Sequence, residues 1–196
     1  MPEIITDGTG KGYRAQVGSD QRLHVWAKSS SNQHIASEEN EQAFQVIGTA
    51  TLSSGSVTVL HIKNTDVSKL LVVNYIRHQI VTASGGTSFP NDDNYLSIGL
   101  NRTYASGGSS VTAANVYGNS GNISQTICYD SNPTLTGTVR EIDRWYTKAA
   151  GDMNVFDKEG SIILPPNGTL ELSYVGDKTS GTVYSRVSFH FEEVGT

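Results

Sequence analysis

The sequence predicts an all-β protein of antiparallel strands, a sandwich or barrel with an extended N-terminal arm. Three observations predict it. Glycine is abundant at 20 of 196 residues, Ser and Thr are frequent and only 17% of residues are charged, a composition that suits short strands and many turns better than a helical bundle. Apolar residues recur with period two along several segments, as in strands with one face on a core. Those segments are separated by loops rich in Gly, Ser, Asn and Asp. The length fits one sizeable domain plus an appendage.

The arm comes first. Residues 1–45 are polar, punctuated by Gly and Ser and poor in aliphatic runs. Within them Gly12–Val17 and Gln21–Ala27 alternate around Gly18-Ser19-Asp20, which predicts a hairpin. Tyr13, Ala15 and Val17 share one face of it, and Leu23, Val25 and Ala27 another. An isolated two-stranded ribbon is marginal in water, so this one needs another surface to lie on. Ser37 followed by Glu38, Glu39 and Glu41 is a helix-capping pattern and predicts a helical turn or two between arm and body.

The body, residues 46–196 with its first strand beginning just before, is read as a series of strands: Ala43–Leu52, Val57–Lys63, Leu70–Val81, Tyr95–Asn101, Ser124–Tyr129, Thr134–Trp145, Ser161–Leu164, Thr169–Val175 and Val183–Glu192. Val187, Phe189 and Phe191 alternate with Arg186, Ser188 and His190; Leu170, Leu172 and Tyr174 alternate with Glu171 and Ser173. Each set has a core face and a water face. Leu70–Ile76 is apolar on both faces, which points to a middle layer or a subunit contact. Ala83–Asn94 and Thr103–Asn122 read as long loops, the kind that are functional or mobile. No internal repeat points to a solenoid or propeller.

Charge and motifs narrow the chemistry. A net charge of −5 and scattered basic residues give no attraction to phosphate backbones or anionic lipid, so neither nucleic acid nor membrane is an expected partner. No stretch approaches the ~20 apolar residues of a membrane span, and the N-terminus lacks the basic and apolar regions of a signal peptide; synthesis in a cytoplasm is expected. The single cysteine, Cys128, reads as a small buried apolar side chain. Asp7-Gly8-Thr9-Gly10-Lys11-Gly12 lacks the Ser or Thr that a phosphate-binding loop needs after its Lys, and reads as a turn. Asp92-Asp93 lacks the spacing of a calcium loop. The histidines, His24, His34, His61, His78 and His190, form no zinc-type spacing, and no Gly-x-Ser-x-Gly elbow occurs. No metal or cofactor is expected.

Two weaker readings remain. Glu141 and Asp143 project from one strand face and are the best local carboxylate pair for glycoside chemistry, but Arg140 and Arg144 beside them favour ordinary ion pairing. Tyr104, Tyr117, Trp145 and Tyr146 are candidate sugar platforms, with Tyr104 and Tyr117 in a long loop the better glycan contacts and the Trp145-Tyr146 pair more suited to cross-strand or interface packing. Asn101-Arg-Thr, Asn122-Ile-Ser and Asn167-Gly-Thr match the glycan acceptor pattern, without a secretory signal to give it weight.

Two stretches carry a resemblance. Ile5-Thr6-Asp7-Gly8-Thr9-Gly10-Lys11-Gly12-Tyr13-Arg14-Ala15-Gln16-Val17, followed by Gln21-Arg22-Leu23-His24, resembles the start of many tailed-phage virion structural proteins. Ser161-Ile162-Ile163-Leu164-Pro165-Pro166-Asn167-Gly168-Thr169-Leu170-Glu171-Leu172 is similar to the strand corner of phage jelly-roll decoration and fibre-like domains. The resemblance implies an antiparallel β-sandwich of jelly-roll type in a capsid decoration (cement) protein. It implies a homotrimer on the outer capsid surface of the virion whose N-terminal arm docks on the major capsid protein. Tyr13, Arg14, Gln16, Arg22, His24 and Trp26 are the expected docking residues. A head-fibre or tail-associated adhesin that binds host carbohydrate is the alternative.

Overall fold

The computed structural model describes residues 4–6, 14–17, 23–24, 40–90 and 92–193. The chain divides into two compact units, residues 1–31 and 32–196. In the first, β1 (Ile4–Thr6) pairs antiparallel with β2 (Arg14–Val17), and β2 with β3 (Leu23–His24). The β2–β3 pair is the hairpin expected there; β1 adds a strand that its short polar surroundings did not announce.

The second unit holds β4 (Ala43–Thr51), β5 (Gly55–Asn64), β6 (Lys69–Ser84), β7 (Tyr95–Leu100), β8 (Thr103–Ser106), β9 (Ser109–Val111), β10 (Ala114–Asn115), β11 (Thr126–Asp130), β12 (Thr134–Thr136), β13 (Arg140–Tyr146), β14 (Met153–Leu164), β15 (Thr169–Gly176) and β16 (Ser180–Glu193). Among the described residues there is no helix, and every strand pairing is antiparallel. One sheet has the order β10-β4-β16-β6-β14 and the other β13-β7-β15-β5-β11-β9, with β8 and β12 forming a separate two-stranded ribbon. The long strands pair in nested fashion: β4 with β16, β5 with β15, β6 with β14 and β7 with β13.

The two sheets share a core, which makes the unit β-sandwich-like. Phe44, Val46, Val73, Ile76, Val187 and Phe189 from one sheet meet Leu60, Ile62, Ile98, Leu170 and Leu172 from the other in one buried cluster. A second cluster gathers Ala50, Ile80 and Val183 against Val57, Val59, Leu96 and Tyr174. A polar layer separates them. Gly48, Ser185 and His78 lie in one register row across β4, β16 and β6. The His78 ring is fully buried, with Nδ1 2.7 Å from Ser185 Oγ and Nε2 3.2 Å from the Ser173 carbonyl in the facing sheet. A neutral imidazole protonated on Nε2 donates to that carbonyl and accepts from the serine hydroxyl.

Several strands depart from the sequence expectation. The segment Thr134–Trp145 is two strands in different sheets, broken at Gly137, whose φ of 93° ends the extended run. β14 begins at Met153, well before Ser161, because the ladder with β6 holds Met153–Asp157 as well and resumes after a bulge between Asp157 and Ile162. Thr103–Asn122 contains three short strands, and β6 runs on into the expected loop as far as Ser84. The capping pattern at Ser37–Glu39 lies outside the described residues; Asn40–Ala43 holds no helical turn, and Glu41 has a left-handed φ of 51° that leads directly into β4. In Leu70–Ile76 the two-sided apolar pattern marks an interior strand whose alternation is flipped by a bulge opposite Ser188 and Phe189, and Val72 on its outer face lies against Gly160 of β14. The Pro165–Gly168 corner is a tight turn: Gly168 N donates to the Pro165 carbonyl at 2.7 Å, and Asn167 has a φ of 64°.

Candidate functional site

The best candidate for a recognition face is the insertion between β7 and β11, which carries Tyr104 and Tyr117. Its first strand, β8, pairs with β12 in the separate ribbon, β9 extends the six-stranded sheet beside β11 and β10 joins the five-stranded sheet beside β4; charge anchors the entrance to β8. Glu171 and Ser173, expected to face water, are instead buried at 4% and 3% exposure. Glu171 is the register partner of His61 on β5 and of Gly99 on β7. The Arg102 guanidinium, at the entrance to β8, lies 3.6 Å from Glu171 Oε1 and donates to the Leu135 carbonyl of β12 at 2.9 Å. His61 Nε2 is 3.1 Å from the Arg102 carbonyl. Burial pushes the Glu171 carboxyl above its usual range, with Arg102 pulling the other way, and burial lowers His61. A Cβ on Gly99 would meet Val139 Cγ2 at 2.5 Å and Glu171 Cγ at 3.0 Å, so the glycine lets both side chains lie close against this strand.

This carboxylate, imidazole and guanidinium have the residue types of an acid–base site. Their arrangement is that of an anchor: His61 is 1% exposed, and its bond goes to the backbone of the segment that covers it.

The anchored insertion presents aromatic surface. Tyr104 on β8 stacks on Tyr129 of β11 with ring centroids 3.7 Å apart and planes 3° from parallel, so one face of Tyr104 is already taken. Tyr117 is 43% exposed. The rest of the insertion is bonded to the segment entering β4: Val116 N donates to the Ala43 carbonyl at 3.0 Å, Asn115 Nδ2 to the Glu41 carbonyl at 2.7 Å and Ser120 Oγ to Glu41 Oε2 at 2.6 Å.

The other expected loop, now residues 85–94, is also tied down. Asn94 Nδ2 donates to Asp177 Oδ1 at 2.8 Å, Thr87 N donates to Asp177 Oδ2 at 2.6 Å, and the Tyr174 hydroxyl donates to Asn94 Oδ1. The bonds from Thr87 and Asn94 hold the Asp177 carboxyl down at about 2. Lys178, 4% exposed, donates to the Gly85 and Thr87 carbonyls and lies 4.3 Å from the Phe89 ring centroid.

The remaining sequence candidates fall elsewhere. Arg14 and Gln16 lie on β2 and His24 on β3, with Gln16 and His24 register partners; Tyr13, Arg22 and Trp26 lie outside the described residues. Glu141 is held by Arg144 through bonds of 2.8 and 3.1 Å, and Arg144 also sits 4.1 Å over the Tyr95 ring. Trp145 packs partly buried against both core clusters, and Tyr146 meets its register partner Tyr95 edge-on at 6.0 Å. Cys128 is buried, as read.

Sequence reasoning missed His61, Arg102 and Glu171 as a group. They come from three segments that only the sheet register brings together. The chain matches no protein-family model, and no curated protein matches it.

Proposed function

We propose that this chain is a non-catalytic structural protein of a tailed-phage virion, a capsid decoration or cement protein of jelly-roll type. In this reading the sandwich unit forms a homotrimer on the outer capsid surface. The N-terminal segment docks on the major capsid protein through Tyr13, Arg14, Gln16, Arg22, His24 and Trp26, so that many weak contacts repeated by symmetry stabilise the head.

The observation that carries the reading is the nested pairing of the long strands. First pairs with last across two sheets, β4-β16-β6-β14 and β5-β15-β7-β13, which is the order of a rolled-up antiparallel hairpin. Because one fold serves many functions, the virion assignment leans in addition on the resemblance of the opening residues and the Pro-Pro-Asn-Gly corner to phage structural proteins. The bonding of Glu141 to Arg144 favours ion pairing over glycoside chemistry.

Electron microscopy of purified virions with gold-labelled antibody to this chain tests the proposal. Label over the head is expected, and a chain lacking residues 1–27 should fail to co-sediment with capsid shells. Label confined to the tail, or none on the particle, refutes the head assignment; undiminished co-sedimentation refutes docking through the arm. The exposed Tyr117 favours a second reading, an adhesin module that binds host carbohydrate. Glycan-array binding lost on Tyr104→Ala or Tyr117→Ala would select it.

A further inference from the structure

On the outer face of the five-stranded sheet, Arg77 of β6 and Arg186 of β16 stand directly opposite each other in register. Each guanidinium reaches diagonally over a tyrosine of the other strand, Arg77 to 5.6 Å from the Tyr184 ring centroid and Arg186 to 5.4 Å from that of Tyr75. The Nε of each is buried without a hydrogen-bond partner. One Nη of Arg77 donates to Gln79 Oε1 at 2.8 Å. Among the described residues no carboxylate lies within ion-pair distance of either guanidinium. Like charges directly opposite on adjacent strands repel, a repulsion that the tyrosine rings offset in part and that an anion between the forks would remove.

Apolar residues flank the pair in the same register row, Ile47 on β4 and Val155 on β14, 45% and 46% exposed. Tyr, Arg and exposed aliphatic groups on a flat surface are the composition of a protein-binding patch. A polynucleotide needs a broader basic field than two arginines on a chain of net charge −5.

We propose that this sheet face docks a carboxylate-bearing segment of a partner protein, its acidic side chains held in the Arg77–Arg186 forks and its apolar ones on Ile47 and Val155. The inference stands whether or not the chain belongs to a virion. The test uses the full chain and octaglutamate as probe, titrated calorimetrically at low and high salt, with octathymidylate in parallel. Wild type should bind octaglutamate in a salt-sensitive manner, and R77Q/R186Q about tenfold more weakly, the loss expected of two exposed charge pairs. K63Q, a charge removed from the other sheet, should bind like wild type. No binding at low salt, or equal binding by the double variant, overturns the proposal. Tighter binding of octathymidylate than of octaglutamate overturns the choice of a protein partner. If R77Q/R186Q does not fold, each single variant should show the loss of one charge pair, about threefold, and binding equal to wild type by both singles overturns the proposal.

Discussion

His78 and Ser173 belong to facing sheets, yet the imidazole Nε2 lies 3.2 Å from the Ser173 carbonyl at the centre of the sandwich. With Ser185 on the other ring nitrogen and Gly48 completing the row, this bond divides the hydrophobic core into two clusters and fixes how the sheets align. A buried polar group with both nitrogens satisfied specifies one arrangement where aliphatic side chains would tolerate sliding.

Burial holds His78 down at about 4, against partners that pull it up. Between pH 6.5 and about 4 the unfolded chain takes up a proton here that the native ring refuses. The contribution is therefore complete above pH 6.5, falls as the pH drops toward 4 and is flat below. At about 1.4 kcal/mol per pH unit the loss is roughly 3 kcal/mol. Urea unfolding at pH 7 and pH 4.5 should show it, and His78→Gln, weaker at pH 7, should lose correspondingly less between the two. His61, lowered in the same direction, leaves a residual slope in the variant. Equal losses in wild type and variant would remove His78 as the source.

Gly48 tests the same layer by volume. A Cβ there would stand 2.8 Å from the Val59 carbonyl oxygen and 3.0 Å from Leu60 Cβ, both in the facing sheet. Backbone cannot swing away as a side-chain tip can, so Gly48→Ala should cost about 2 kcal/mol and lower the melting temperature by roughly 4–8 °C. An unchanged melting curve would mean that the sheets are further apart than described.

These features also mark the limit of what the sequence reveals. The inner faces of β15 and β16 were legible because Leu170, Leu172, Tyr174, Val187, Phe189 and Phe191 obey a two-residue period that needs no partner to be read, and all six are buried. Glu171 and Ser173 obeyed the same period and were assigned to water. What holds Glu171 in is the Arg102 guanidinium, itself bonded to the Leu135 carbonyl, a tertiary event with no local signature. The His78 layer is hidden for a like reason: His78 and Ser185 alone lie 107 residues apart in sequence, and a lone Gly, Ser or His in a strand announces nothing. Arg186 was readable as a polar position, but only the register sets it opposite Arg77.

Asn94 supplies the third test. Its side chain accepts from the Tyr174 hydroxyl and from Asp177 N, and donates to the Asp177 carboxylate, so three groups lose a partner at once in Asn94→Ala. Buried polar groups left unpaired cost about 1–3 kcal/mol each, with water able to repair those nearest the surface; a total of about 3 kcal/mol is expected by guanidinium denaturation. In a double-mutant cycle Tyr174→Phe should cost less in the Asn94→Ala background than in wild type, because its acceptor is already gone and only the bond it accepts from Lys178 N remains to be lost. Additive costs would separate the two residues.

Cys128 is 2% exposed, and burial pushes its thiol up to about 11, opposed only by a weak bond to Thr126 Oγ1 at 3.5 Å. The thiolate is the reactive species, so at pH 8 only roughly one native molecule in a thousand carries it, and that one is shielded from solvent. Iodoacetamide should leave the folded chain unmodified on the timescale that alkylates a free thiol, and modify it fully in guanidinium. The native rate should instead follow the opening of β11 from its neighbours β5 and β9, rising with denaturant and slowing in any variant that stabilises the fold. Alkylation of the native chain at the rate of a small thiol would place Cys128 at the surface and contradict its packing in the core.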